Sequence, residues 1–344
     1  MVIIAGDIFN PQTAEFFDGY IEIEKNIIIR TGKGNAPKMP DKRGTILPLF
    51  FNWHTHSADI IARSRIQKSE RKWTIEELVG PEGEKHKILE ETRDPELVSA
   101  MRQAMWEMLQ NGVGGFCDFR EGGLHGVELL NKALLGQKIA CLRMARPAKN
   151  IYDVKEMNMM LNSADGIGIS SISDWDYSEL QKVAKHAKNM GKKIAIHASE
   201  RIREDIDLVL DLKPDILVHM VKGAASDFSK VAQAKIPVVV CPRSNAFFGI
   251  VPPVDKMRKA GIEIKVGTDN AMISSFNMFD ELQALRSISK LNPIESIKAC
   301  TPDNLFNGKL YTLSEGANPA FMLLGCGKKG LASARSVDIK AIFL

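Results

Sequence analysis

The chain has no paired cysteine spacing, no run of like charge and no long apolar stretch, and each absence narrows what it can be. Its five cysteines (Cys117, Cys141, Cys241, Cys300 and Cys326) are scattered and odd in number, without a Cys-x-x-Cys pair. That pattern argues against a disulfide framework or a thiolate zinc site and fits reduced thiols. No cluster of five or more like charges occurs, and the net charge is only +4. Nucleic acid and membrane surfaces are therefore not expected partners. No apolar run approaches the ~20 residues that span a bilayer. The stretch Met1-Val2-Ile3-Ile4-Ala5-Gly6-Asp7 reaches an acid without a basic leader and does not read as a signal peptide. The expectation is a cytoplasmic protein, with the oligomeric state, a homo-oligomer included, left open. Phosphate-cradling loops are missing too: Gly112-Val113-Gly114-Gly115 joins a helix to a strand and is no Walker or Gly-x-Gly-x-x-Gly motif.

What is present is ordinary globular material, 44% hydrophobic and 26% charged over 344 residues. That length suffices for one large α/β barrel and a small appended domain. The first 45 residues read as short strands: Val2 to Ile4, Phe16-Phe17 into an Asp18-Gly19 turn, Tyr20 to Ile23, and Ile27 to Arg30. Residues 306–344 have the same character, with strands at Leu310 to Leu313, Phe321 to Leu324 and Ile339 to Leu344. Neither end could bury a sheet face alone, so the two are expected to form one small β-sandwich.

Between them, over residues 46–305, strand and helix alternate. Asp94-Pro95-Glu96 opens a helix with Leu97, Met101, Met105, Met108 and Leu109 on one face, closed by Gly112. Ser178-Glu179-Leu180-Gln181 fits a capping box for a helix carrying Leu180, Val183, Ala184 and Ala187 and ending at Gly191. Strands starting near Ile46, Gly114, Ile139, Gly166, Lys193, Ile216, Val238 and Ile262 make eight, the number of a TIM-type (β/α)8 barrel. The segment from Ser57 to Arg93 breaks the rhythm, since a usual βα loop runs ~2–6 residues. It reads equally as a lid over the barrel mouth or as a solvated helical insertion.

Four segments end a β-type apolar run with a residue able to bind a metal: His54 and His56, His197, His219 and Asp269. Strand C-termini of a parallel barrel converge on one mouth, so these residues can share one ion. His54 and His56 lie two apart on one strand and so face the same side. With His197 and Asp269 they make a neutral-nitrogen and carboxylate set suited to one divalent ion, first of all zinc, with iron or manganese as alternatives. A bound ion lowers the pKa of its water toward ~7. His219 reads as a further ligand or as a group that polarises substrate. Glu200 reads as a general acid or as the acidic start of a helix from Arg201 to Leu212. His86, His125 and His186, in charged or helical contexts, read as surface groups.

These motifs resemble the amidohydrolase superfamily, in its branch of nucleobase and nucleoside deaminases and triazine hydrolases. Leu47-Pro48-Leu49-Phe50-Phe51-Asn52-Trp53-His54-Thr55-His56 is similar to the family's Leu-Pro-Gly-Phe-Ile-Asp-x-His-x-His. His197-Ala198-Ser199-Glu200, Cys241-Pro242-Arg243-Ser244-Asn245 and Gly267-Thr268-Asp269-Asn270 resemble its later motifs in order and spacing. The resemblance implies one metal held by His54, His56, His197 and Asp269, with Glu200, His219 and Asp269 catalytic. The strand from Gly166 to Ile172 has no lysine, which argues against the branch with a carbamylated lysine and two ions. Leu49 and Asn52 depart from the family's Gly and Asp, and Gly316-Ala317-Asn318-Pro319 lacks the acid usual near the end.

The expectation is hydrolytic deamination of an aminated N-heterocycle such as a purine, pyrimidine or related nucleoside. Hydroxide formed at the ion attacks the carbon bearing the amino group. An amidase or triazine-type hydrolase, and a metal-binding barrel without catalysis, are the alternatives. Arg120, Glu121, Arg243 and Asn245 are placed as substrate contacts by position alone.

Overall fold

The computed structural model describes residues 1–80, 82–302 and 313–344. Both chain ends meet in one six-stranded sheet, in the order Ile339–Phe343, Phe321–Leu324, Lys42–Pro48, Val2–Asn10, Glu15–Glu24 and Ile27–Lys33. Its apolar face gathers Ile4, Ile8, Ile21, Ile23, Ile28, Ile46, Phe321 and Leu323. The described residues supply this single sheet and no second one facing it, so the expected sandwich is not what they form. The expected strand from Leu310 to Leu313 lies almost wholly outside the described residues.

Two local readings change here. Asp18-Gly19 is no turn: Asp18 pairs with Asp7 and Gly19 with Gly6 inside the ladder, and the hairpin turns at Pro11 to Ala14 instead. The glycines serve close packing, since a Cβ on Gly6 would lie 1.9 Å from the Gly44 carbonyl oxygen. The strand expected from Ile46 is two strands. Lys42–Pro48 belongs to the terminal sheet, and the first barrel strand is Phe50–His56.

Around the barrel, Phe50–His56, Val113–Arg120, Ala140–Ala145, Gly166–Ile169, Lys193–Ala198, Ile216–His219, Val238–Val240 and Ile264–Val266 pair in sequence, all parallel. After Gly267 and Thr268, Asp269 and Asn270 pair with Thr55 and His56 of the first. The ring is thereby closed, as in an eight-stranded α/β barrel. Phe51, Trp53, Cys117, Phe119, Leu142, Met144, Ala195, Ile216, Val218, Val239 and Cys241 fill its interior. Helices pack outside, among them Asp94–Gln110, which buries Met101, Met105 and Met108. The helix Tyr177–Asn189 buries Leu180, Val183, Ala184 and Ala187, but Asp176 caps it, not Ser178, accepting from the amides of Ser178 and Glu179. Among the described residues no helix is long and apolar enough to cross a membrane.

The insertion is helical, with a 3-10 turn at Ser57–Ala62 and short helices Arg63–Gln67, Ile75–Val79 and Glu84–Glu91. It has a core of its own in Ala62, Ile66, Leu78 and Ile88, with Trp73 packed on it, closed against Met272, Phe248 and Ile273. Those contacts seat it on the loops that follow the barrel strands.

Candidate metal centre and active site

Simple alternation along Phe50–His56 would oppose Phe51 and Trp53, which fill the barrel, to His54 and His56. A register shift resolves the conflict: Asn52 pairs with Phe116, whereas Thr55 pairs with Asp118, so one extra residue bulges in between. Trp53 thus stays in the core while both imidazoles reach the mouth. Asn52, where the family carries Asp, donates to Thr268 Oγ1 at 2.8 Å and accepts from the Thr268 amide at 3.0 Å. It therefore ties the first barrel strand to the last. Leu49 is accommodated by Gly114, where a Cβ would lie 2.8 Å from Leu49 side-chain atoms.

Ile216 and Val218 also point inward, so alternation would send His219 out. Its φ of +74° turns it back, and Met220 (+52°), Ser199 (+49°) and Asp269 (+57°) share this left-handed backbone. Such conformations are costly for residues with a Cβ and concentrate at functional sites.

The side chains converge tightly. His54 Nε2 lies 3.2 Å from His197 Nε2 and 3.1 Å from Asp269 Oδ1, and His56 Nε2 lies 3.7 Å from that oxygen. Ligands around a tetrahedral zinc, with bonds of ~2.0–2.1 Å, sit about 3.3 Å apart. His197 Nδ1 donates to the Ile169 carbonyl at 2.8 Å, which leaves the lone pair on Nε2, facing His54. Two acceptors, His197 Nε2 and Asp269 Oδ1, thus crowd one edge of His54, the place where a cation fits. Burial, the largest influence, lowers the pKa of His54, His197 and His219 and brings His56 down to about 3, so the rings are neutral and able to coordinate. Burial alone would raise Asp269; its hydrogen bond with His54 is the largest influence against that, and it is held well below the carboxylate range. Ser244 Oγ donates to Asp269 Oδ2 at 2.6 Å and fixes the carboxylate.

The possible ligand atoms form overlapping groups: His54 with His56 and Asp269, His54 with His197 and His219, and His219 with Cys241 and Asp269. His54, His219 and Asp269 are each shared by two of the groups. Burial pushes the Cys241 thiol well above its ordinary pKa, which makes it a poor ligand. His219 Nε2 also faces Glu200 Oε1 at 3.6 Å. Burial, then the charge of Asp269, raises the Glu200 pKa to about 8, so it carries a proton at neutral pH. Glu200 does not start a helix: that helix runs Ile206–Asp211 and is capped by Asp205.

His56, His197, His219, Asp269 and Glu200 all open onto one cavity of about 620 Å3, within the range of small-molecule sites. The insertion lines it with Ile75, Val79, Lys85, His86 and Leu89. Arg120 and Glu121 are in its wall as expected, but Arg243 and Asn245 are not. Arg243 Nη1 instead contacts Ser275 at 3.3 Å and faces the buried Glu281 at 3.6 Å. Asn245 is fully buried behind the site. His86 lines the cavity half-buried, and burial lowers it to about 4, whereas His125, at the cavity rim, is exposed as expected and pairs with Asp94 at 3.0 Å. His186 stays remote, accepting from or donating to Tyr152 Oη at 3.0 Å.

Sequence reasoning passes over Lys85 altogether. It is buried in the insertion, with Nζ 3.0 Å from Asp59 Oδ2 and 2.7 Å from Glu121 Oε1. The only available signal was an insertion dense in charge directly after His-x-His.

The comparisons with known proteins agree with this geometry. A protein of Methanocaldococcus jannaschii is 30% identical over 307 residues, covering 83% of this chain and 79% of its own. A 5-methylthioadenosine/S-adenosylhomocysteine deaminase of Pelotomaculum thermopropionicum is 25% identical over 329 residues, covering 81% and 70%. The crystal structure of an adenosine deaminase from Xanthomonas campestris, with bound zinc, superposes with a TM-score of 0.75 at 13% identity, covering all of this chain and 91% of the other. The model of the Amidohydrolase family matches residues 45–305, three quarters of the chain and every strand-end ligand described above, and the chain belongs to that family.

Proposed function

We propose that this chain is a metal-dependent aminohydrolase that releases ammonia from an amino-substituted N-heterocycle. The observation that carries the reading is Glu200, a buried carboxyl that is protonated at neutral pH and stands beside the His and Asp cluster in one cavity. His54, His56, His197 and Asp269 would hold one divalent ion, first of all zinc. When bound, such an ion supplies a nucleophile from water at neutral pH.

The protein's own groups then divide the proton work. Asp269, ionised and steadied by Ser244, accepts a proton from the attacking water. Glu200 gives its proton to the ring nitrogen next to the amino-bearing carbon, so that the ring accepts the new C–O bond without building negative charge. Neutral His219 donates an N–H to the oxygen as charge develops there. The C–N bond then breaks, the amino group leaves as ammonia with the proton that Asp269 held, and the new hydroxyl passes its proton back to Glu200, so that the carbon keeps the oxygen as a carbonyl and the ring keeps its N–H. Water is consumed and no oxidant is needed.

A deaminase acting on a thioether nucleoside lies among the relatives, and it supports a nucleoside-type substrate. The cavity extends well beyond the metal cluster to Ala148, Asn150 and Ser171 on one side and to the insertion on the other. That space suits a ring bearing a ribosyl or larger substituent, with residues 57–93 closing over it. Residues 46–305 would form the catalytic unit.

The test is ammonia release from a panel of purines, pyrimidines, pterins and their nucleosides by zinc-loaded protein. Release from at least one amino-substituted ring is expected. No ammonia from the panel, together with efficient hydrolysis of simple amides or phosphotriesters, overturns the deaminase reading.

A further inference from the structure

We propose that Glu121 is a positioning residue for the metal centre: its carboxylate sets the tautomer and orientation of His56, and Lys85 of the insertion holds that carboxylate in place. The proposal rests on the reading of His54, His56, His197 and Asp269 as metal ligands.

The three histidines of that set differ in what stands behind them. His197 Nδ1 donates to a backbone carbonyl, and His54 Nδ1 is buried without a partner. His56 Nδ1 lies 2.9 Å from Glu121 Oε1, as a close electrostatic contact rather than an aligned hydrogen bond. A nitrogen lone pair pointed at a carboxylate oxygen at that distance is repelled. The ring therefore carries its hydrogen on Nδ1, and the lone pair falls on Nε2, the nitrogen that faces Asp269. Carboxylates behind ligating histidines fix the ring and raise its basicity in this way.

Glu121 follows directly on the barrel strand Val113–Arg120, so its backbone is anchored. Its side chain is gripped by Lys85 Nζ at 2.7 Å, Arg120 Nη2 at 2.8 Å and Arg146 Nη2 at 3.2 Å. Lys85 also reaches Asp59 at 3.0 Å. Every charge Glu121 can offer is already engaged inside the protein, which fits a positioning task better than a substrate contact. Since Lys85 belongs to the insertion, the segment that lines the cavity also steadies a metal ligand.

The test measures zinc affinity of the full chain by chelator competition, and the visible absorption of the cobalt(II)-substituted protein. Glu121→Gln keeps the shape and removes the charge. It is expected to weaken zinc about 10- to 100-fold and to shift the cobalt spectrum. Lys85→Met is expected to move both readouts in the same direction by less. Should Lys85→Met fail to fold, Glu121→Gln alone decides. An unchanged zinc affinity and cobalt spectrum in Glu121→Gln overturns the proposal, whether KM rises, as for a substrate contact, or only the melting temperature falls. Wild-type protein that binds no zinc would overturn the metal-centre reading itself, a result distinct from a wild type that binds zinc and a variant that binds it equally.

Discussion

The two walls of the cavity are built on opposite principles. One wall consists of strand ends: His56, His197, His219 and Asp269, with His54 buried beside them, sit on or directly after barrel strands, which fix them to one another. The other is the insertion, three short helices around a small core, joined to the barrel loops by apolar contacts with Met272 and Phe248 and by the ion pair of Lys85 with Glu121. Lys85 meets Asp59 and Glu121 beneath the surface, whereas Arg201, next to Glu200, reaches out to the exposed Glu76. The strand-end wall can hold a precise chemical geometry, while the insertion wall shapes the substrate space and bears on that geometry through the contact of Lys85 with Glu121.

Substitutions that strike each wall separate the two principles. The largest effect is expected from Asp269→Ala on the strand-end wall. It removes a ligand and a base together, so metal content measured by elemental analysis falls from one ion per chain toward none, and activity disappears with it. Two ions per native chain would contradict the single-site arrangement. Glu200→Gln is expected to keep the ion and the fold but to lower turnover by ~10²- to 10⁴-fold, the range for a lost general acid. The same residue sets the alkaline limit. The working form is the protonated one, with a pKa raised to about 8, so turnover in the wild type declines as pH climbs through that region. A rate that keeps rising past it would remove Glu200 from the role.

On the insertion wall, Lys85→Met leaves the buried Asp59 without its cation and Glu121 with only Arg120 and Arg146. A loss of about 3–5 kcal/mol in unfolding free energy is expected, measured by denaturant titration. Arg201→Gln cuts the exposed bridge to Glu76 and should cost about 1 kcal/mol or less. A change in KM without a change in metal content would show that this bridge controls substrate entry alone. If Arg201→Gln instead weakened the ion, the two walls would be coupled through this bridge as well as through Lys85 and Glu121.

The same contrast explains what could be read from the sequence. The convergence of the candidate ligands was legible because a β-type run ending in His or Asp reports both a place at the barrel mouth and a residue type able to coordinate. Glu200 was legible only through its spacing from His197, because its burial depends on a loop that turns at Ser199 (φ +49°) before the helix begins. The inward turn of His219 and the bulge between Asn52 and Thr55 break strand alternation and leave no periodic trace. Asp18-Gly19 carried a hairpin signal that the ladder overrode, because glycine was needed there for close approach rather than for a turn. Lys85, His86 and the engagement of Arg243 by Ser275 and Glu281 rest on contacts between distant segments, which charge density alone does not assign.

The first and last strands of the barrel meet at the site itself. Thr55 and His56 pair with Asp269 and Asn270, Asn52 is stitched to Thr268, and His54 reaches Asp269 across 215 positions of chain. The ring is therefore fastened at the point where the chemistry is done, and the ligand set doubles as its clasp. Closing so long a loop carries an entropic cost that a contact across the seam helps to offset. Stripping the protein of metal should then loosen the seam first, with faster hydrogen exchange in Phe50–His56 and Asp269–Asn270 than in the strands on the far side of the ring.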